Sequence, residues 1–167
     1  MSSLIPEYPH ETPVQVSIPE LNLVVVRHEK TTLDALPALF DGTFSALGAA
    51  AEKGTFIPVG AALAIYNGSP FEVFDLEIGF PVAEPIDGPL ELGDYVAVPV
   101  TLEPGTAWAA SHVGSYEGLP EAWAGLAKAA LDAGAQPTGR TIEAYVTEPF
   151  PGIDPSRLRT DLILPVV

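Results

Sequence analysis

Apolar and polar positions alternate at the start of the chain, with Val14, Val16 and Ile18 set against Gln15 and Ser17. The run Leu23-Val24-Val25-Val26 follows Pro19. A period of two sends successive side chains to opposite faces of a strand, so one long or bent strand region is predicted, broken at the proline. The period then lengthens. Leu36, Leu39, Phe40, Phe44 and Leu47 recur at three- and four-residue spacing and predict a helix from Asp34 to about Ala51, with Thr31 or Thr32 near its cap and Gly54 beyond its end. Alternation returns at Leu63 and Ile65, with Tyr66 on the other face, and Asn67-Gly68 predicts a turn. Phe74, Leu76, Ile78 and Phe80 line one face of the next strand, opposite Asp75 and Glu77.

A proline- and glycine-rich joint, Ala83 to Gly93, precedes a restart of the same pattern. Val96, Val98, Val100 and Leu102 alternate, Pro104-Gly105 predicts a turn, and Trp108, Ala110 and His112 share a strand face. Pro120 at a first helical position opens a second helix, with Trp123, Leu126, Ala127 and Ala130 inward and Gly134 at its end. Strands over Thr141–Val146 and Leu158–Val166 complete the pattern. Pro58, Tyr66 and Pro70 recur as Pro137, Tyr145 and Pro149, each 79 positions later (137 − 58, 145 − 66, 149 − 70). Pro81-Val82 recurs as Pro165-Val166 after a five-residue slip (165 − 81 = 84). The expected fold is α+β: a duplicated strand–helix–strand–strand module with pseudo-two-fold symmetry, its repeats at about 13–82 and 94–167, helices packed on one side of antiparallel sheet.

The repeat isolates one carboxylate. Glu143 stands where the first copy has Ala64. Ile142, Ala144 and Val146 share one strand face, expected to lie against a helix. Thr141, Glu143 and Tyr145 share the other, expected on the side the helices leave open. Two readings stand at this point. Glu143 points to water, as most strand glutamates do, or it is the polar anchor of a cleft shared by the halves.

Composition narrows the classes. Twenty-two acidic residues against seven basic ones give a net charge of −15. The basic residues are scattered, so no patch is expected to neutralise several phosphates, and direct nucleic-acid binding is not expected. Apolar runs stop well short of the ~20 residues of a membrane span, and Met1 to Glu11 lacks the pattern of a secretory signal. No membrane association and a cytoplasmic setting are the expectations. Cysteine is absent, which removes disulfides and thiol catalysis. His10, His28 and His112 have no partners at ligand spacing, so neither metal nor cofactor is expected. Gly114-Ser115-Tyr116-Glu117-Gly118 has tyrosine where a nucleophile elbow needs serine.

What remains is Glu143 with Tyr145 and the aromatics Tyr66, Phe80, Trp108, Tyr116 and Trp123. A carboxylate among aromatic faces suits a bulky organic cation, each ring adding about 0.5–2 kcal/mol of cation–π attraction. Core packing is the other reading of the rings, and the favoured one for Trp123 and Phe80.

His112-Val113-Gly114-Ser115-Tyr116-Glu117-Gly118-Leu119, the alanine-rich helix ending Ala133-Gly134, Thr141-Ile142-Glu143-Ala144-Tyr145 and the closing Thr160-Asp161-Leu162-Ile163-Leu164-Pro165-Val166 together resemble the GyrI-like small-molecule-binding domain. Asp75-Leu76-Glu77 through Phe80-Pro81-Val82 fits the same pattern, and the likeness covers residues 13–167. That family includes the effector-binding domains of AraC- and MerR-type regulators. The resemblance implies two modules with a ligand cleft between them, its acidic residue at Glu143 and its walls including Tyr145, Tyr116 and Trp108. Tyr66, His112 and Phe80 complete the candidate ligand-binding set. The first expectation is a stand-alone multidrug-binding protein for lipophilic cations. A second is a hydrolase of strained cyclopropane-containing electrophiles, with Glu143 and Tyr145 catalytic. A third is an acidic modulator of a partner protein such as DNA gyrase.

Overall fold

The computed structural model describes residues 4–68, 72–147 and 152–167. Pro70 and Pro149 of the repeat lie outside the described residues. In chain order the elements are β1 (Val14–Ile18), β2 (Leu21–Thr31), α1 (Leu36–Glu52), β3 (Ala62–Asn67), β4 (Phe74–Val82), β5 (Leu90–Leu92), β6 (Tyr95–Leu102), β7 (Gly105–Val113), α2 (Leu119–Asp132), β8 (Arg140–Tyr145) and β9 (Arg159–Val166). The described strands pair antiparallel and each helix packs on strands, an α+β fold. The chain divides into two compact units, Glu20–Glu103 and Met1–Pro19 with Pro104–Val167.

In the 20–103 unit the ladder runs β3-β4-β2-β6-β5. Val24 and Val26 of β2, Val82 of β4 and Ala97 of β6 are buried with Leu47 and Ala50 of α1. These strand residues alternate with others on the opposite face, so the two-residue period of the sequence is the packing of the helix. Gly79 is dictated by closeness: a Cβ there would lie 1.9 Å from the Val24 carbonyl oxygen. The joint Ala83–Gly93 is not only linker, since it contains β5, which pairs with β6.

In the 104–167 unit the ladder runs β1-β7-β9-β8. Leu126 and Ala130 of α2 bury against Leu162 and Leu164 of β9, flanked by Trp108 and Ala110 of β7. The three- and four-residue spacing of Trp123, Leu126 and Ala130 therefore faces the strands. Pro120 sits in the first turn, and Gly134, with φ +83°, turns the chain out at the end.

Membership of the units differs from the sequence repeats. Val14–Ile18, placed at the head of the first repeat, pairs with β7, and Tyr95–Leu102, placed at the head of the second, pairs with β2. Pro19 and Pro104 mark the crossings. Each lies in the short connection where the chain passes from one unit to the other, Pro19 between β1 and β2 and Pro104 between β6 and β7.

The face of the 104–167 unit away from α2 holds a buried ion pair. Arg159 donates Nε–H to Asp161 Oδ1 at 2.9 Å and Nη2–H to Oδ2 at 2.8 Å. Its remaining donors reach the carbonyls of Glu7 (3.1 Å) and Pro6 (2.9 Å). Ser111 Oγ donates to Asp161 Oδ1, and the His10 N–H donates to Ser111 Oγ. Residues 6–10 are thereby tied to the sheet. Among the described residues no helix is long and apolar enough to cross a membrane, and no group of three or more His, Cys, Asp or Glu is arranged to hold a metal.

Candidate functional site

Register decides where Glu143 points. It pairs with Leu162, which pairs in turn with Ala110. Directly opposed residues of an antiparallel ladder share a face, and Leu162 and Ala110 pack on α2. Glu143 therefore faces the helix, at 6% exposure. The expectation that the Thr141/Glu143/Tyr145 face is free of helices is corrected, and so is the reading of Glu143 as a solvated group. The physical reason is that both faces of β8 are covered: Ile142, Glu143 and Ala144 are all buried. Polarity alternation then no longer tells which side the helix takes.

A buried carboxylate needs donors. Trp123, one turn into α2, donates Nε1–H to Oε2 at 2.8 Å, and Tyr145 donates its hydroxyl to Oε1 at 2.6 Å. The second is in the short range of charge-assisted O–H···O⁻ bonds. Tyr116 closes the group. It lies in a 3-10 turn, Tyr116–Gly118, between β7 and α2, and its ring meets that of Tyr145 edge to face at 6.2 Å. Burial, and next the negative charge of Glu143, push its phenol pKa above the ordinary value. At 39% exposure Tyr116 is the outermost member.

Local chemistry fixes that turn. Gly114, at φ +142°, lets the chain leave β7 sharply, and its N–H donates to the Leu158 carbonyl. His112 Nε2 lies 2.7 Å from the Ser115 carbonyl oxygen. A carbonyl only accepts, so Nε2 carries the proton. Gly118 leaves room for the ring, since a Cβ there would come within 2.7 Å of His112 Cε1. His112 thus holds the turn that carries Tyr116.

Of the residues singled out by sequence, Glu143, Tyr145 and Tyr116 come together, and His112 holds their turn. Trp108 lies on the same face, paired with Leu164 and packed in the α2 core. Tyr66 and Phe80 belong to the 20–103 unit. Tyr66 is buried against Phe74, and Phe80 packs with Phe44 and Phe56. Trp123, favoured as core packing, also donates to the carboxylate. Its signal was its place one turn after Pro120, on the inward stripe of the helix.

The model of the GyrI-like small molecule binding domain family matches residues 11–167, and the chain belongs to that family. No curated protein sequence matches it. Among solved structures it is similar to the EcmrR C-terminal domain (17% identity, TM-score 0.73, covering 93% of this chain and 97% of that one). It is also similar to a hydrolase from Listeria innocua (15% identity, TM-score 0.64, covering 96% and 94%) and to SAV2435 bound to tetraphenylphosphonium (10% identity, TM-score 0.63, covering 93% of each). At such identities the likeness to these structures is one of fold.

Proposed function

We propose that this chain binds lipophilic organic cations, with Glu143 as the anionic anchor and Trp123, Tyr145 and Tyr116 as the aromatic surfaces around it, in a multidrug-binding role. The observation that carries the reading is a buried carboxylate among aromatic side chains, accepting from an indole N–H and a phenol O–H. Aromatic faces attract a cation by their quadrupoles, and a desolvated carboxylate attracts it more strongly than a solvated one. The tetraphenylphosphonium bound to SAV2435, a neighbour in fold, supports the ligand class. Titration of a fluorescent lipophilic cation against wild type and Glu143→Gln tests it. The expected outcome is affinity weakened about tenfold or more in the variant, from loss of a charge-assisted contact worth ~1.5–3 kcal/mol. Equal affinities would make the attraction a diffuse effect of the acidic surface.

A second reading is hydrolysis of a strained electrophile. It is favoured by the 2.6 Å Tyr145–Glu143 hydrogen bond, which joins a proton donor to a potential base, and by the fold shared with a Listeria innocua hydrolase. Activity would then fall ~10²–10⁴-fold in both Glu143→Gln and Tyr145→Phe.

We further infer that the two sequence repeats are copies of one module. Strand pairing supports this: Val26 opposes Ile78 and His28 opposes Leu76, while Ala110 opposes Leu162 and His112 opposes Thr160. All four pairs correspond under one shift of 84 (110 − 26, 162 − 78, 112 − 28, 160 − 76). On this reading the first copy carries no anchor, because Ala64 stands for Glu143.

A further inference from the structure

Thr160 is fully buried, and its hydroxyl has no hydrogen-bond partner among the described residues. A buried polar atom left unpaired is costly and asks for a reason. Its position supplies one. Thr160 opposes Tyr145 on one side and His112 on the other, so it shares their face of the sheet, with Cβ atoms about 4.5–5.5 Å from each neighbour. Tyr145 bonds Glu143, and His112 holds the turn whose Tyr116 rests on Tyr145. Thr160 is therefore in the row that this turn spans. Glu143 is itself 6% exposed, so a ligand that reaches it must displace side chains around it, and a movement of the Tyr116 turn, which meets His112 and Tyr145 at the two ends of this row, would open the row in which Thr160 lies.

We propose that Thr160 Oγ1 is a second polar contact for the ligand, and that the preferred ligand is an aromatic cation bearing a hydrogen-bonding group, such as an amide or carbonyl, beside its charged centre. This rests on the cation-binding reading and adds a selectivity that the carboxylate does not provide. A hydroxyl can donate or accept, so either polarity of ligand group satisfies it.

The test uses tetraphenylphosphonium and its meta- and para-carbamoyl derivatives, titrated against wild type, Thr160→Val and Glu143→Gln. The wild type is expected to bind at least one carbamoyl derivative about two- to tenfold more tightly than the parent, the range of one neutral hydrogen bond. Thr160→Val, nearly isosteric, is expected to abolish that preference, to leave parent binding unchanged, and to melt no lower than wild type because no hydrogen bond is lost. Equal binding of parent and derivatives by the wild type overturns the proposal. So does a uniform loss in Thr160→Val, and a lower melting temperature would reveal a structural partner instead. Glu143→Gln separates the two readings: it weakens parent and derivatives alike if the anchor is right, whatever Thr160 does. Failure of the wild type to bind any of the three removes both.

Discussion

Two buried carboxylates sit in adjacent rows of the β8–β9 ladder and face opposite ways. Asp161 opposes Ala144, and Glu143 opposes Leu162. Asp161 takes both forks of the Arg159 guanidinium and the Ser111 hydroxyl, and Arg159 spends its other donors on the carbonyls of residues 6 and 7. Glu143 accepts from Trp123 and Tyr145, beneath a half-exposed Tyr116. The Asp161 charge is met by a cation from its own strand and ties chain segments together. The Glu143 charge is held by aromatic donors at the edge of a turn. On the proposed reading, the same sheet uses one acid for integrity and the other for a ligand.

The largest effect should come from breaking the first. Asp161→Ala leaves Arg159 buried without its carboxylate, and is expected to cost about 3–5 kcal/mol in denaturant unfolding. Cation affinity of the folded fraction should be unchanged, and a parallel loss of affinity would blur the division of labour. Next is Glu143→Gln, with its roughly tenfold or greater loss of cation affinity at a stability equal to or above wild type. The amide keeps an acceptor, and a buried charge is relieved. A third variant probes the turn. Gly118→Ala drives a Cβ into the His112 ring, breaking the bond to Ser115. The expected loss of affinity is about two- to tenfold. Tyr116 should become more exposed, and its ionisation, followed by NMR of labelled tyrosine, should move down toward the ordinary value.

The smallest effect lies in the other unit, where His28 Nε2 meets Thr43 Oγ1 at 2.9 Å and its ring meets Tyr95 edge to face. Burial lowers the His28 pKa from the ordinary 6.5. A depressed histidine stabilises the fold above the unfolded-state value, and that contribution is lost as pH falls below 6.5 and through the folded-state value. Stability of the wild type should decline over that window, and less so in His28→Gln. Cation binding at Glu143 should not follow the same profile.

The helices and most strands were legible because period and punctuation agree: Leu36 to Leu47 repeat at three and four, and Pro120 and Gly134 bracket α2. Glu143 was legible as an acid on a strand whose first sequence copy has Ala64 in its place. Its orientation was not, because Ile142 and Ala144 are as buried as the carboxylate, and alternation reports the helix face only when the other face is wet. The exchange of β1 and β6 was hidden for a related reason: a strand's own sequence carries its faces, and not its neighbour. Arg159 and Asp161 were passed over, though a basic and an acidic residue two apart on a strand share a face. Trp123 was weighed as packing, since a helix stripe looks the same whether its indole N–H is satisfied by a carboxylate or by anything else.

The most direct measurement is a crystal structure of the protein with tetraphenylphosphonium bound. The expected result places the cation against the Glu143 carboxylate, within about 6 Å of the Trp123, Tyr145 or Tyr116 ring centroids, with Tyr116 displaced and the Arg159–Asp161 pair intact. A cation resting on exposed acids, with Glu143 still covered by Tyr116, would contradict it.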